Sequence, residues 1–472
     1  MVESAVRTTS NTLKAITMHT PRPILAAIAV AFAFASPALS QVINEDFKLL
    51  PTDATTNGEF GWSIAIDDDL VAIGTISDST HQFMAGAAYV FNTTTGNQIV
   101  KIIPADRLPG DRFGWSVAID TGIIAVGAYQ DNDDDIENSG SAYLFDATTG
   151  VQLAKLLPSN IQPGREFGWS IAMDNGIVAV GARHDDENGP FAGAVYLFDV
   201  STGTQIMKLI ADDGEELDLF GTSVAISNGV VAVGAVGDDD NGNSSGSTYL
   251  FDVSTGLQTA KLTPNDASAF QQFGNSVSID NGVAAIGAFQ DTTNGFASGA
   301  AYLFDLATGT QMTKFIPEDN AAADEFGISV AIENGVLAVG AIWNDANGLD
   351  SGAAYLFDVS TSSQIAKVLP SDNAQQDYFG VSVAISNGII AAGAHRDDEA
   401  GNSHSGAAYL FTIPQTDCLV DLNADGVLNF FDISAFLQAF GENDPIADFT
   451  NDGLFNFFDI SAFLQAFAAG CP

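Results

Sequence analysis

The chain is 472 residues long and carries 15 Lys and Arg against 59 Asp and Glu, a formal net charge of −44. A surface of that sign repels phosphate backbones and anionic lipid, which excludes nucleic-acid binding and leaves neutral glycans, cationic surfaces and calcium as partners. With 46% apolar residues and 46 glycines, a large core and many turns are both available, and the class indicated is all-β.

At the start of the chain Arg7, Lys14 and Arg22 precede the apolar run 24–35, and Ala38-Leu39-Ser40 offers small residues for cleavage before Gln41. This is the pattern of an export signal, predicted over residues 1–40, with an apolar run shorter than a membrane span requires. The mature chain is expected to be secreted, extracellular or at the cell surface, without a transmembrane segment.

Residues 42–413 are built from one unit that recurs every 53 or 54 residues. A Phe-Gly dipeptide begins at Phe60, Phe113, Phe167, Phe220, Phe273, Phe326 and Phe379. Gly74, Gly127, Gly181, Gly234, Gly287, Gly340 and Gly393 follow at a constant distance, and then a Tyr-(Leu/Val)-Phe triplet from Tyr89 to Tyr409. Each unit reads as four short strands, a to d. Asn-Gly turns such as Asn175-Gly176 join a to b, and Thr-Gly turns such as Thr149-Gly150 join c to d, because these pairs supply the positive φ of tight hairpins. In strand a, Phe113, Trp115, Val117 and Ile119 alternate with Gly114, Ser116 and Ala118, giving a bulky and a small face that can nest between neighbours. Seven repeats supply seven a, b and c strands, but only six d strands follow a c strand. The seventh is expected near residues 42–50, closing a seven-bladed β-propeller of four-stranded antiparallel blades.

The phased Phe-Gly and Gly-Ala signals resemble FG-GAP repeats, which implies the propeller of integrin α chains and of many secreted bacterial proteins. In that family, calcium-binding blades carry an Asp-rich loop between the two signals. Here the link is a tight turn, as in Asp120-Thr121-Gly122, so those calcium sites do not carry over.

Two charged positions keep the repeat's phase. A Lys stands ahead of each Phe-Gly, at Lys48, Lys101, Lys155, Lys208, Lys261, Lys314 and Lys367, placed to lay its stem over apolar edges with its head near acidic loops. Each b–c loop opens on Asp78, Asp131, Asp185, Asp238, Asp291, Asn344 or Asp397, with richer runs such as Asp133-Asp134-Asp135. These acids read as turn caps, as weak cation ligands or as a catalytic pair. Their uniformity argues against catalysis, and no nucleophile turn, phosphate loop or His-based metal spacing is present, so the chain is read as non-catalytic. Trp62, Trp115 and Trp169 read as core packing or as sugar-stacking aromatics.

The composition changes after Pro414, where 414–417 reads as a linker. Two segments in 27-residue phase match calcium loops, with oxygen ligands at positions 1, 3, 5, 9 and 12 and a backbone carbonyl at 7. The first comprises Asp421, Asn423, Asp425, Val427, Asn429 and Asp432; the second comprises Asp448, Thr450, Asp452, Leu454, Asn456 and Asp459. Each leads into a short helix with Ile433, Phe436, Leu437 and Phe440, or their counterparts, on one face. Phe430-Phe431 and Phe457-Phe458 read as core or as contact surface. Cys418 and Cys471 bracket this segment and read as a disulfide in an exported chain. Residues 418–472 resemble the GC-type bacterial dockerins, a small α-helical domain of paired EF-hand-type loops and helices. The resemblance implies bound calcium and a protein partner, cohesin-like or a surface anchor, although Phe pairs replace the small polar residues of ordinary cohesin readers. The expected function is binding or adhesion, with a glycan or matrix protein on the propeller. The alternatives are a carbohydrate-active hydrolase and a structural surface-layer component.

Overall fold

Each repeat folds back on itself because its turns leave no other course. Asn175 and Gly176 take φ of 50° and 76°, and the other Asn-Gly turns do the same, so strand a runs straight into an antiparallel strand b. In the computed structural model, which describes residues 41–472 apart from 81, 134–135, 400, 414–419, 424–427, 451–452 and 470–472, the first two strands are β1 (Gln41–Ile43) and β2 (Phe47–Leu49). The first blade follows, with β3 (Phe60–Asp67), β4 (Leu70–Thr75), β5 (Ala87–Asn92) and β6 (Gln98–Ile102) as strands a to d. Six sheets have four strands and one has five, which makes a seven-bladed β-propeller.

The two glycines of the repeat hold neighbouring blades together. A Cβ on Gly74 would lie 2.0 Å from the carbonyl oxygen of Gly114 in the next blade, and one on Gly393 would lie 1.9 Å from that of Gly61. A side chain at either place would push two blades apart. The Ser three residues after each Phe binds the same carbonyl, from Ser63 Oγ to Gly114 O at 2.8 Å round to Ser382 Oγ to Gly61 O at 2.9 Å. Strict alternation in strand a holds only after this point. The register shifts between Phe60 and Ser63, because Gly61 adopts φ 89°; this bulge was not expected from the residue pattern.

The hydrophobic core lies in wedges between blades. One wedge joins Ala88, Val90 and Ile102 of the first blade to Phe113, Val126 and Tyr143 of the second. Phe113 is fully buried and meets the Tyr143 and Phe145 rings edge-on at 5.6 and 5.8 Å. Each such Phe contributes about 1.5–3 kcal/mol through burial. The central channel is lined by strand-a residues such as Val117, Ala118 and Ile119. At its turn end, Asp67 and Asp174 accept the backbone amides of Thr121 and Asn228, each in the next blade.

The ring is closed by the chain's first strands, as expected, but with two strands where one was expected. β2 pairs antiparallel with strand c of the last blade, Lys48 opposite Tyr409, and so serves as its strand d. β1 instead pairs in parallel with strand Gln364–Val368 and gives the sixth blade a fifth strand. The segment between them is fixed at both sides: Glu45 accepts from the Ser371 amide at 3.0 Å, and Asp46 from the Thr412 amide at 2.6 Å. These two acids bend a segment that the repeat spacing presented as continuous.

Near the C-terminus, α1 (Phe430–Glu442) and α2 (Phe457–Ala469) have a small core of Val420, Phe436, Ala447 and Phe463. The Phe436 and Phe463 rings stack 4.0 Å apart. Asn429 and Asp432 form a capping box at the start of α1. The predicted export signal, linker and both cysteines, Cys418 and Cys471, lie outside the described residues.

Candidate functional site

Strands a and b pair Phe60 with Thr75, so the b–c loops and the d–a loops share one rim. There the phased Lys, Asp and Tyr meet. Tyr143 and Lys155 face each other across strands c and d. The Tyr143 hydroxyl donates to Asp131 at 2.7 Å, while the Lys155 ammonium lies 3.0 Å from Asp131, 2.8 Å from Asp106 and 2.7 Å from Asp133. The arrangement repeats: Lys261 joins Asp213, Asp238 and Asp240, and Lys314 joins Asp266 and Asp291. Lys48, carried on β2, joins Asp372, Asp397 and Glu399 of the last blade, so ring closure also completes the seventh network. Burial alone would lower the Lys155 pKa, but Asp106, Asp133 and Asp131 outweigh it and hold the ammonium above the ordinary range. Burial likewise opposes the Asp185 carboxylate, and bonds from Lys208 and Tyr196 bring its pKa below the ordinary value.

The loop acids therefore cap turns and take an internal cation. Asp372, Asp397 and Glu399 bring their oxygens within 4.8 Å of one another, as a metal site would, but the Lys48 ammonium sits among them.

Sequence reading missed a second carboxyl, two residues ahead of Phe-Gly. Asp111, Asp218 and Asp377 are buried there. Burial pushes the first and last up to about 7 and the second up to about 6, and the nearby Asp131, Asp238 and Asp397 charges add to the rise. Two other blades solve the same conflict with an amide. Gln271 donates to Asp291 at 2.7 Å, and Asn344 donates to Asp324 at 3.0 Å. Where both residues are Asp, burial and the neighbouring charge favour the protonated form of the one ahead of Phe-Gly. The interchange of acid and amide at two positions 20 residues apart was the available signal.

The C-terminal loops have a different design. Asp432 is buried and accepts the Asn429 amide at 2.8 Å and the Asn423 amide at 3.4 Å. Asp459 accepts the Asn456 amide at 2.8 Å, and the Thr450 amide and hydroxyl at 3.0 and 2.8 Å. These bonds hold both carboxyls below the usual range, and Asp421 and Asp448, at loop position 1, reach Asp432 and Asp459 at position 12. Asp448 also accepts the Gly453 amide at 2.8 Å, and the Leu454 carbonyl accepts from Asn456 at 3.1 Å. Asp425, Val427 and Asp452 lie outside the described residues. No Lys, Arg or His occurs after His404, so this segment has no cation of its own. In each loop the two carboxylates have the chemistry of a hard-ion donor set, while the Asn429 and Asn456 amide oxygens accept the Phe431 and Phe458 amides at 2.7 and 2.9 Å. Phe430, Phe431, Phe457 and Phe458 are 72, 69, 74 and 69% exposed, and do not belong to the small core.

Among the described residues no helix is long and apolar enough to cross a membrane. The FG-GAP repeat profile matches residues 43–91, 97–145, 151–198, 204–251, 257–304, 310–357 and 362–411, well over half of the chain. Its first match begins in β1 and ends in strand c of the first blade, the same offset by which the ring is closed. A comparison with curated proteins gives no match.

Proposed function

Because this chain belongs to the FG-GAP repeat family, we propose that it is an exported binding or adhesion protein without catalytic activity, held to a surface or assembly by its C-terminal helices. The observation that carries the reading is the rim. Seven loops are fixed from below by a Lys and a Tyr bonded to the loop's first residue, Asp in six and Asn344 in the other, while their crests differ in sequence, the usual division between rigid scaffold and recognition loop. Export follows from the pattern of residues 1–40.

The C-terminal segment is the attachment point in this reading, a dockerin-like pair of loops and helices that binds calcium through the twelve loop residues named above and is closed by Cys418–Cys471. Support comes from the paired acids at loop positions 1 and 12, in a segment whose sequence holds no Lys, Arg or His, and from two exposed Phe pairs at equivalent places in α1 and α2. Large exposed aromatics in matching positions suit a protein partner rather than solvent. The test uses labelled full-length chain on cells or envelopes of the producing organism, in calcium and in chelator. Saturable binding that is lost in chelator and in the Phe430→Ser/Phe457→Ser variant is expected. Binding that survives both changes contradicts the attachment.

A further inference from the structure

In a sevenfold repeat, residues that do not repeat carry the information. The chain has four tryptophans, and all four stand at the loop rim in one continuous arc. Trp62, Trp115 and Trp169 follow the Phe-Gly of the first three blades, and their rings lie 4.8 and 4.6 Å apart. Tyr129 packs on the last two at 4.5 and 5.0 Å. In the other direction His395 meets Trp62 at 5.1 Å and stacks on Tyr378 at 5.5 Å, and Trp343 lies 6.3 Å beyond. The three indoles are half-buried and stay outside the inter-blade cores. The same position in the next three blades is Thr222, Asn275 and Ile328, so the arc is a sector of the rim.

The scarce arginines gather here as well. The Arg183 guanidinium lies 3.1 Å over the Trp169 ring and bonds Glu166 at 2.8 Å. Arg112 donates to Ser77 at 2.7 Å, and Ser77 donates to Glu59 at 2.8 Å. Arg396 sits 5.0 Å over the Tyr378 ring. His395 is 6% exposed, and its Nδ1 is buried without a hydrogen-bond partner, a spare polar atom within the arc.

We infer that this arc is a binding site for a neutral saccharide chain, whose C–H faces lie on the indoles and whose hydroxyls bond the Arg183–Glu166 and Arg112–Ser77–Glu59 groups. The charges decide the class. An anionic ligand would meet Glu59 and Glu166 on a chain of net charge −44, and a cationic one would meet three guanidiniums. A hydroxyl both donates and accepts, so it satisfies a guanidinium and a carboxylate together, while aromatic faces supply the apolar contact. The inference rests on the binding role proposed above and gives that rim its ligand class.

The full chain is titrated with the neutral hexaoses of cellulose, xylan, mannan and starch, with an oligogalacturonate and a chitosan oligomer as charged arms. Tryptophan emission is the readout, since all four indoles belong to the site. At least one neutral series is expected to shift the emission and saturate, with affinity about tenfold lower in Trp115→Ala, the size of one lost stacking contact, and nearer wild type in Trp115→Phe. If Trp115→Ala lowers the melting temperature, Arg183→Met takes its place and the same loss is expected. Silent emission with every neutral series, saturation by a charged arm alone, or undiminished affinity in the folded variants overturns the inference. A chain that adheres to its surface while every sugar leaves the emission unchanged overturns the saccharide site and keeps the adhesion role. Sugar binding without surface adhesion does the reverse.

Discussion

The two acidic regions of this chain solve one electrostatic problem in opposite ways. On the propeller rim the phased lysines sit among the loop carboxylates, as Lys155 does between Asp106, Asp131 and Asp133. In the C-terminal loops Asp421 reaches Asp432 and Asp448 reaches Asp459, in a segment without a single basic residue. Acidity by itself therefore says nothing about metal binding; what matters is whether the fold brings a counter-charge. An internal lysine makes the rim independent of the medium, whereas in the proposed reading the tail draws its cation from outside.

The largest effect that would sharpen this contrast comes from the chain's start. Deleting residues 41–50 removes β1, β2 and Lys48, so the last blade loses both its outer strand and its cation. Loss of cooperative unfolding and rapid proteolysis are expected, and added calcium does not restore the fold. A stable deletion variant would mean that closure comes from somewhere else.

Lys314→Met removes one internal cation and leaves Asp266 and Asp291 facing each other. The site is half-buried, so the cost falls between that of a surface pair and a buried one, about 2–3 kcal/mol by urea unfolding. Lys314→Met combined with Asp291→Asn recovers part of it. Rescue of the single variant by calcium would break the distinction between the two regions.

Asp377→Asn tests the retained protons with a smaller effect. The folded pKa of Asp377 is pushed up to about 7 from the usual carboxylate value, so the folded state holds a proton that the unfolded chain has already lost. Its contribution to stability is present at pH 4 and is lost as pH rises toward 7. The variant, which puts an amide where the equivalent position of another blade has Gln271, should melt a few degrees higher at pH 8 and at an unchanged temperature at pH 4. Equal shifts at both pH values would show that no proton is held there.

Phe430→Ser with Phe457→Ser is expected to change stability by less than about 0.5 kcal/mol, as exposed substitutions do, while abolishing surface attachment. A large stability loss would return these rings to the core.

The fold was legible because its signals are local and repeated seven times. Each Phe-Gly, Asn-Gly and Tyr-x-Phe states a backbone or packing requirement that needs no distant partner. The closing strand followed from counting, but its division into β1 and β2 did not, since Glu45 and Asp46 act through Ser371 and Thr412, which are remote in sequence. The phased lysines were expected near acidic loops, and they lie there. The Asp111–Asp131 type of pair escaped notice because burial, rather than spacing, gives it meaning. For the exposed Phe pairs, sequence left core and surface both open, because a one-face helical pattern does not say how many turns the partner helix covers.

Calorimetry of the full chain in calcium and in excess chelator tests the central contrast most directly, read alongside the helical and β circular-dichroism signals. The account predicts that chelator abolishes the helical transition of the C-terminal segment and leaves the propeller transition at the same temperature. A propeller transition that falls with chelator, or a helical signal indifferent to it, would contradict the claim that one region carries its cations and the other imports them.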